Sequence, residues 1–399
     1  MNQSSIDIIG DVHGMYGRLS GLLARLGYHR DAGSWRHSEN RRVVFVGDYV
    51  DRGSRSKEVI ETVQQMCHDR IALALLGNHD TNAIAFCTLK ATGVLDAQTA
   101  WKCREGSSWV DSRHWLREHN KKNVEQHRDT LKAFKEPSEY EAAIGYFQTL
   151  PIWLELPGLR VVHAAWIPHA IDKLDQYANS RGSDGLGIRA ACIDEAIEMQ
   201  AGRAYPSPAQ WRDLLEMGET KAFLQSANAS PPIALERLVK GVEMALPPGV
   251  SFKDGSGHER SEMRIRWFDA AEGQPYHRHA LMRPHDVIGI QAKLPHELIS
   301  ASKGDHAEAP LPQLIPFHAI DAYPFTERPV LFGHYALYDI ANASVGRILR
   351  PNVACVDTGG GYSAKQGGSL SAYRWDGERE LHSSKFIVDR SSIDKLACV

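Results

Sequence analysis

The chain has 399 residues, with 46 Lys+Arg against 49 Asp+Glu, a formal net charge of −3, 43% hydrophobic and 24% charged residues. That composition excludes a disordered or fibrous chain, and the near balance of charge removes any global electrostatic reason to expect a nucleic-acid or membrane partner. The length suffices for one large domain with insertions or for two or three small ones.

The first 90 residues alternate strand and helix. Ile6 to Gly10 reads as a strand, followed by Leu19, Leu22, Leu23 and Leu26, an i, i+3, i+4, i+7 stripe that ends at Gly27. Val43 to Val46 is a β-branched and aromatic run stopped by Gly47. A second helical stripe uses Val59, Val63 and Met66, with Ser54 or Ser56 available as its N-cap. Ile71 to Leu76 gives a third buried strand. This order implies a parallel sheet with right-handed crossovers, and ligands of such sheets bind at the carboxyl ends of the strands.

From about 95 to 145, Trp101, Trp109 and Trp115 are interleaved with Arg, Lys and His. The stretch predicts a helical insertion, and a packed amphipathic helix explains it better than base contact does. Strand signals return at Leu159 to Ala164. Residues from about 172 to 325 form an insertion or cap region, part helical, in which Ser300 to Pro312 resembles a linker. The rest is β-rich: 329–332, 353–356, 370–375 and 386–388. All 399 residues are thus expected to build a single catalytic domain with two insertions.

The longest aliphatic run, Ile71 to Leu76, is far shorter than the roughly 20 residues of a membrane span. No basic n-region with an apolar h-region opens the chain, which argues against a secretory leader. Six scattered cysteines (67, 87, 103, 192, 355 and 398) include no CxxC pair and fit reduced thiols in a cytoplasm.

Six residues of metal-ligand type stand just after predicted strands. Asp11 and His13 follow the first, Asp48 the second, Asn78 the third, His163 a fourth, and His334 the strand at 329–332. Hard divalent and trivalent metals take carboxylate, amide oxygen and neutral imidazole ligands. A sheet that gathers these ends on one edge has the geometry of a two-metal site, in which ions ~3.5–4 Å apart share a carboxylate and stabilise both oxygens of an in-line displacement. Taken singly, an Asp or Asn after a strand is usually a turn former, and a His there is usually a satisfied core group. The joint pattern differs: the five fixed residues of Gly47-Asp48-x-x-Asp51-Arg52-Gly53 should arise by chance in roughly one chain in a few thousand.

With Gly10-Asp11-Val12-His13-Gly14, Gly77-Asn78-His79-Asp80, Val162-His163-Ala164 and Gly333-His334-Tyr335, the sequence resembles the calcineurin-like metallophosphoesterases. More closely, it resembles the phosphoprotein phosphatase superfamily and its bacterial diadenosine tetraphosphatase branch. The resemblance implies an α/β fold, a four-layer αββα sandwich of two mixed β-sheets with helical insertions. It implies that Asp11 and His13 hold one metal, that Asn78, His163 and His334 hold the other, and that Asp48 bridges them. The two divalent or trivalent ions are expected to be manganese, with iron, zinc or cobalt also suited. His79, oriented by Asp51, would be the general acid; imidazole suits that role because its pKa lies near operating pH. Arg52 would clamp the phosphate with its planar fork. Arg264 and Arg266 are candidates for a second phosphate-binding arginine, although their segment equally reads as a strand with arginines on one face.

Departures from the family bear on the substrate. Asp80 stands where phosphoprotein phosphatases usually carry Glu, and Ala164-Ala165-Trp166 replaces Gly-Gly or Ala-Gly after His163; the tryptophan is expected to reshape the rim of the site. The leading expectation is a metal-dependent phosphoesterase in which a bridging hydroxide attacks phosphorus in line. Its substrate would be a dinucleoside polyphosphate or small phosphoester, with the tryptophan-rich insertion stacking a base. Alternatives are a Ser/Thr protein phosphatase acting on phosphoproteins and, from another class, an inactive metal- or phosphate-binding regulator. A nucleic-acid-binding module fits the charge poorly.

Overall fold

The structure is a computed structural model that describes residues 5–105, 114–180, 188–189, 208–215, 230–246, 250–253, 259–270, 273, 275–283, 286, 321–337, 347–362 and 367–389. Its first half contains β1 (Ile6–Ile9), α1 (Tyr16–Leu26), β2 (Tyr28–Asp31), β3 (Ser34–His37), β4 (Arg42–Phe45), α2 (Ser56–His68), β5 (Ala72–Ala74), α3 (Asn78–Cys87), α4 (Ala97–Trp101), α5 (Lys121–Ala133), α6 (Pro137–Phe147), β6 (Trp153–Leu156) and β7 (Leu159–Val162). After α7 (Pro168–Ser180) and β8 (Ile188–Arg189) come α8 (Pro208–Leu215), α9 (Pro231–Lys240), β9 (Glu243–Ala245), β10 (Phe252–Lys253), β11 (Glu259–Arg260) and β12 (Glu262–Arg264). The last strands are β13 (Val330–Phe332), β14 (Arg347–Arg350), β15 (Val353–Cys355), β16 (Ser371–Trp375) and β17 (Phe386–Val388).

Two mixed sheets result. One has the order β17-β16-β1-β4-β5, the other β14-β15-β13-β7-β6-β8. Strands β1, β4 and β5 run parallel, as do β7, β13 and β15. Side-chain alternation shows how the sheets stack, because successive residues of a strand face opposite sides. Ile6, Ile8, Val44, Leu73 and Leu75 share one apolar cluster with Leu159, Val161, Leu331 and Ala354 of the other sheet. Their alternates Ile9, Val43, Phe45, Ala72 and Ala74 join the second cluster with Leu19, Leu22 and Leu23 of α1 and Val59, Val63 and Met66 of α2. Val162 and Phe332 lie in that second cluster with Leu174 of α7 and Leu238 of α9. Each buried Val, Leu or Ile contributes about 1.5–3 kcal/mol of transfer free energy, so both faces of each sheet are committed. The molecule is the α/β sandwich of two mixed sheets that the resemblance implied.

Two local expectations are corrected. Neither Ser54 nor Ser56 caps α2: Arg55 is its N-cap residue and makes no side-chain cap bond. Ser56 is buried instead, with its hydroxyl 3.5 Å from that of Thr130 on α5. The third predicted strand is also shorter, since only Ala72–Ala74 pair with β4, and the Leu76 amide turns to donate to the Pro151 carbonyl. Ser300 to Pro312 and Trp109 lie outside the described residues.

Candidate active site

The carboxyl ends of β1, β4, β5, β7 and β13 converge and deliver Asp11, His13, Asp48, Asn78, His163 and His334, all buried. The turns are tight: His13, Asp48, Asp51, Arg52 and His334 all have positive φ, from 51° to 71°. Such backbone costs of order 1–3 kcal/mol per residue and persists only where surrounding structure fixes it. Gly333 serves close approach, since a Cβ there would stand 2.2 Å from Asp11 Oδ1. The His334 amide donates to both Asp11 oxygens at 3.1 Å.

The imidazoles are set by backbone carbonyls. His13 places Nδ1 3.0 Å from the Val50 carbonyl, and His163 places its own 2.8 Å from that of Val46. A carbonyl can only accept, so each ring donates from Nδ1 and presents a bare Nε2 lone pair. His13 Nε2 lies 3.6 Å from Asp48 Oδ2 and 4.0 Å from Asp11 Oδ2. His163 Nε2 lies 3.5 Å from Asp48 Oδ1 and 3.1 Å from Asn78 Oδ1, and His334 Nδ1 is 2.7 Å from the same Asn78 oxygen. Burial holds all three imidazoles below the usual histidine range, well below it for His13 and His334. Burial, then Asp357 and Asp48, pushes the Asp11 carboxyl well above its ordinary value. For Asp48, burial is outweighed by His163, His79 and His13, and its pKa falls.

Lone-pair acceptors thus face one another with no proton between them, on both sides of Asp48. Cations fit that arrangement, and a ligating histidine ordinarily donates its other N–H to a carbonyl or carboxylate. Ligand atoms of Asp11, Asp48 and His163 lie within 4.8 Å of one another, as do those of His13, Asp48 and His79. In the second set His79 already commits Nδ1 to Asp51 Oδ2 at 2.5 Å. That leaves its Nε2 as the nitrogen available for proton transfer.

His13, Asp48, Asn78, His79 and His334 line a cavity of about 930 Å³. Arg52 lines it, with its guanidinium 4.4 Å from the centroid of the Tyr362 ring. Arg264, on β12, also lines it, 3.7 Å from Glu243. Arg266 does not; its guanidinium pairs with Asp269 and covers the Phe268 ring.

Trp101 and Trp115 do not line the cavity. Both are buried, Trp101 donating to the Phe134 carbonyl and Trp115 stacking on His119. Nor does Trp166 shape the rim: it is buried, 5.0 Å from the Arg160 guanidinium. Base stacking by Trp101 and Trp115 and the expected reshaping by Trp166 are both corrected, because core packing consumes the rings. Aromatic surface in the cavity comes from Phe252, Tyr335 and Tyr362. Asp80 accepts from the amides of Asp48, Tyr49 and Gly77 at 2.8, 3.0 and 2.9 Å, tying two motif loops together.

Sequence reasoning missed two groups. Asp357 directly follows the predicted strand at 353–356, so the rule that marked the six residues of metal-ligand type could have marked it too. It lies in the cavity wall, and its oxygens accept from the Ala336 and Gly359 amides at 2.6 and 2.8 Å. Burial raises its pKa. The other group, His127 and Thr130 on α5, carried no sequence signal.

The family model of calcineurin-like phosphoesterases matches residues 4–186. A bis(5′-nucleosyl)-tetraphosphatase PrpE [asymmetrical] of Oceanobacillus iheyensis is 30% identical over 173 residues, covering 43% of this chain and 60% of that one. The Halalkalibacterium halodurans protein of the same description is 48% identical over 73 residues, covering 18% of this chain and 30% of that one. The chain therefore spans less than two thirds of the length of these relatives. A crystal structure titled as a putative diadenosine tetraphosphatase aligns over 96% of this chain and 93% of its own, with 13% identity and a TM-score of 0.36. The matched residues 4–186 hold Asp11, His13, Asp48, Asn78 and His163, so over this part the chain is similar to the calcineurin-like phosphoesterases.

Proposed function

We propose that the chain is a metal-dependent phosphoesterase acting on a phosphate ester or anhydride, with dinucleoside polyphosphates as its substrate class. The observation that carries this reading is the placement of Asp48, whose two oxygens face His13 on one side and His163 on the other. Asp11 and His13 would hold one cation, Asn78, His163 and His334 the second, with Asp48 between them. When bound, the two ions would polarise a water and neutralise charge on the phosphoryl oxygens.

The chain's own groups supply the rest. Asp51 holds His79 through Nδ1, so Nε2 can deliver a proton to the leaving oxygen. Arg52 offers a planar fork to the phosphoryl oxygens, and Arg264, which lines the same cavity, would be a second phosphate-binding arginine. A cavity of about 930 Å³ with Phe252, Tyr335 and Tyr362 in its walls accommodates more than a single phosphoryl group. The names of the relatives support the nucleotide assignment. We expect the protein to work in the reducing cytoplasm, where thiols such as Cys67, Cys87, Cys103 and Cys355 stay free. Among the described residues no helix is long and apolar enough to cross a membrane.

The test is turnover by the full chain, stripped of metal and reloaded with manganese, on diadenosine tetraphosphate, p-nitrophenyl phosphate and a phosphothreonine peptide. Manganese-dependent cleavage of the tetraphosphate above the other two, lost in Asp48→Asn, supports the reading. Preference for the peptide would make the chain a protein phosphatase. Metal binding without turnover on any substrate would make it a regulator.

A further inference from the structure

The insertion that contributes α5 reaches the acid end of the site. Asp51 presents one oxygen, Oδ2, to His79, while its other oxygen, Oδ1, meets His127 Nδ1 at 2.6 Å and accepts from the Thr130 hydroxyl at 3.0 Å. Thr130 also accepts the Asp51 amide at 2.7 Å. His127 and Thr130 are three apart on one helix and therefore share a face. Beyond them, His127 Nε2 lies 2.8 Å from the Tyr140 hydroxyl of α6, and that oxygen accepts the Cys87 thiol at 3.1 Å. All five side chains are buried: Asp51, His127, Thr130, Tyr140 and Cys87.

The hydrogen bonds admit one consistent direction. The Cys87 thiol donates to Tyr140 and the Tyr140 hydroxyl donates to His127 Nε2. His127 Nδ1–H then donates to Asp51, as does His79 Nδ1–H. A carboxylate satisfied on both oxygens cannot rotate, and its dipolar surroundings need not reorganise when the ring beside it changes charge. Burial alone would raise the Asp51 pKa, yet His127 first, and then His79, holds it well below the ordinary carboxylate value.

We propose that His127, fixed by Tyr140, is a positioning residue for the proton donor: it locks Asp51 so that Asp51 locks His79. The proposal rests on the reading of His79 as the acid of a phosphoester hydrolase. It also assigns a task to the insertion at about 95–145, which would complete the catalytic geometry from outside the two sheets.

A proton donor matters most when the leaving group is poor, so the test reads leaving-group dependence. Manganese-loaded full chain, wild type and the variants H127Q, Y140F and H79N would be assayed on aryl phosphates from 2,4-dinitrophenyl to phenyl phosphate. We expect H127Q to lose about tenfold or more on phenyl phosphate and under about twofold on the dinitrophenyl ester. The slope should steepen in the direction of H79N, and Y140F should follow with a smaller change. Equal losses across the series, or none, would overturn the proposal and leave His127 as packing against Phe86 and Tyr140. If H127Q loses its native circular dichroism or its metal, Y140F carries the comparison: a steeper slope supports the proposal and an unchanged slope overturns it. An unchanged slope in H79N, or a wild type without turnover, would instead sink the reading of His79 and the proposal with it.

Discussion

His163 Nε2 and Asn78 Oδ1 lie 3.1 Å apart, two buried lone-pair acceptors facing each other. The His163 proton is committed to the Val46 carbonyl on the other side of the ring, so this contact is repulsive until something positive enters. Cation binding should therefore stabilise the fold as well as supply chemistry. At manganese concentrations 100-fold above the dissociation constant, linkage gives about 2.7 kcal/mol. The unfolding midpoint should rise on replacing chelator with manganese, and Asn78→Ala should remove most of that rise. An undiminished rise in the variant would show that the metal binds elsewhere.

Asp80 should matter for stability without touching substrate. Its carboxylate receives three backbone N–H groups from the two motif loops. In Asp80→Asn an amide NH2 must stand where an acceptor is needed, leaving at least one buried N–H unpaired at about 1–3 kcal/mol. Urea unfolding should show a loss in that range. A variant as stable as wild type would mean that the loops are held by other contacts.

The pH dependence of stability should carry a term from His119, which is outside the metal cluster. Burial drives its pKa down to about 4, as the ring sits between Phe86 and Trp115 with Nε2 2.7 Å from the Phe86 carbonyl. The folded pKa is below the unfolded one, so between pH 4 and 6.5 the unfolded chain binds the extra proton. Stability from this group is complete above about pH 6.5 and falls as pH drops toward 4, by about 3 kcal/mol in all. His119→Gln removes the titration, so its urea midpoint should fall less than that of wild type between pH 7.5 and 4.5. Parallel declines would assign the pH dependence to other groups.

The metal-type residues were legible because each is local to a strand end, and strand ends are readable from β-branched runs closed by glycine. Asp11, Asp48, Asn78 and His163 needed only that reading and a sheet to gather them. Asp357 sits at such an end as well, directly after the strand at 353–356. His127 was invisible for a different reason. It meets Asp51 across 76 positions of sequence, and nothing in the amphipathic pattern of α5 separates a histidine packed on Tyr140 from one aimed at a carboxylate. The tryptophans misled in the opposite sense: basic neighbours suggested a ligand surface, but Trp101, at the end of α4, and Trp115, bridged to Leu89, both pack into the core. Arg264 and Arg266 are two apart and would share one face of a continuous strand, but β12 ends at Arg264, and beyond it Arg266 turns to Asp269.

The most direct test of the proposed dinuclear site is manganese stoichiometry by equilibrium dialysis of the full chain, wild type beside Asp48→Asn. The geometry predicts about two ions per wild-type chain and a loss of at least one in the variant, since Asp48 faces both groups of ligands. One ion or none in wild type, or two retained without the Asp48 carboxylate, would contradict it.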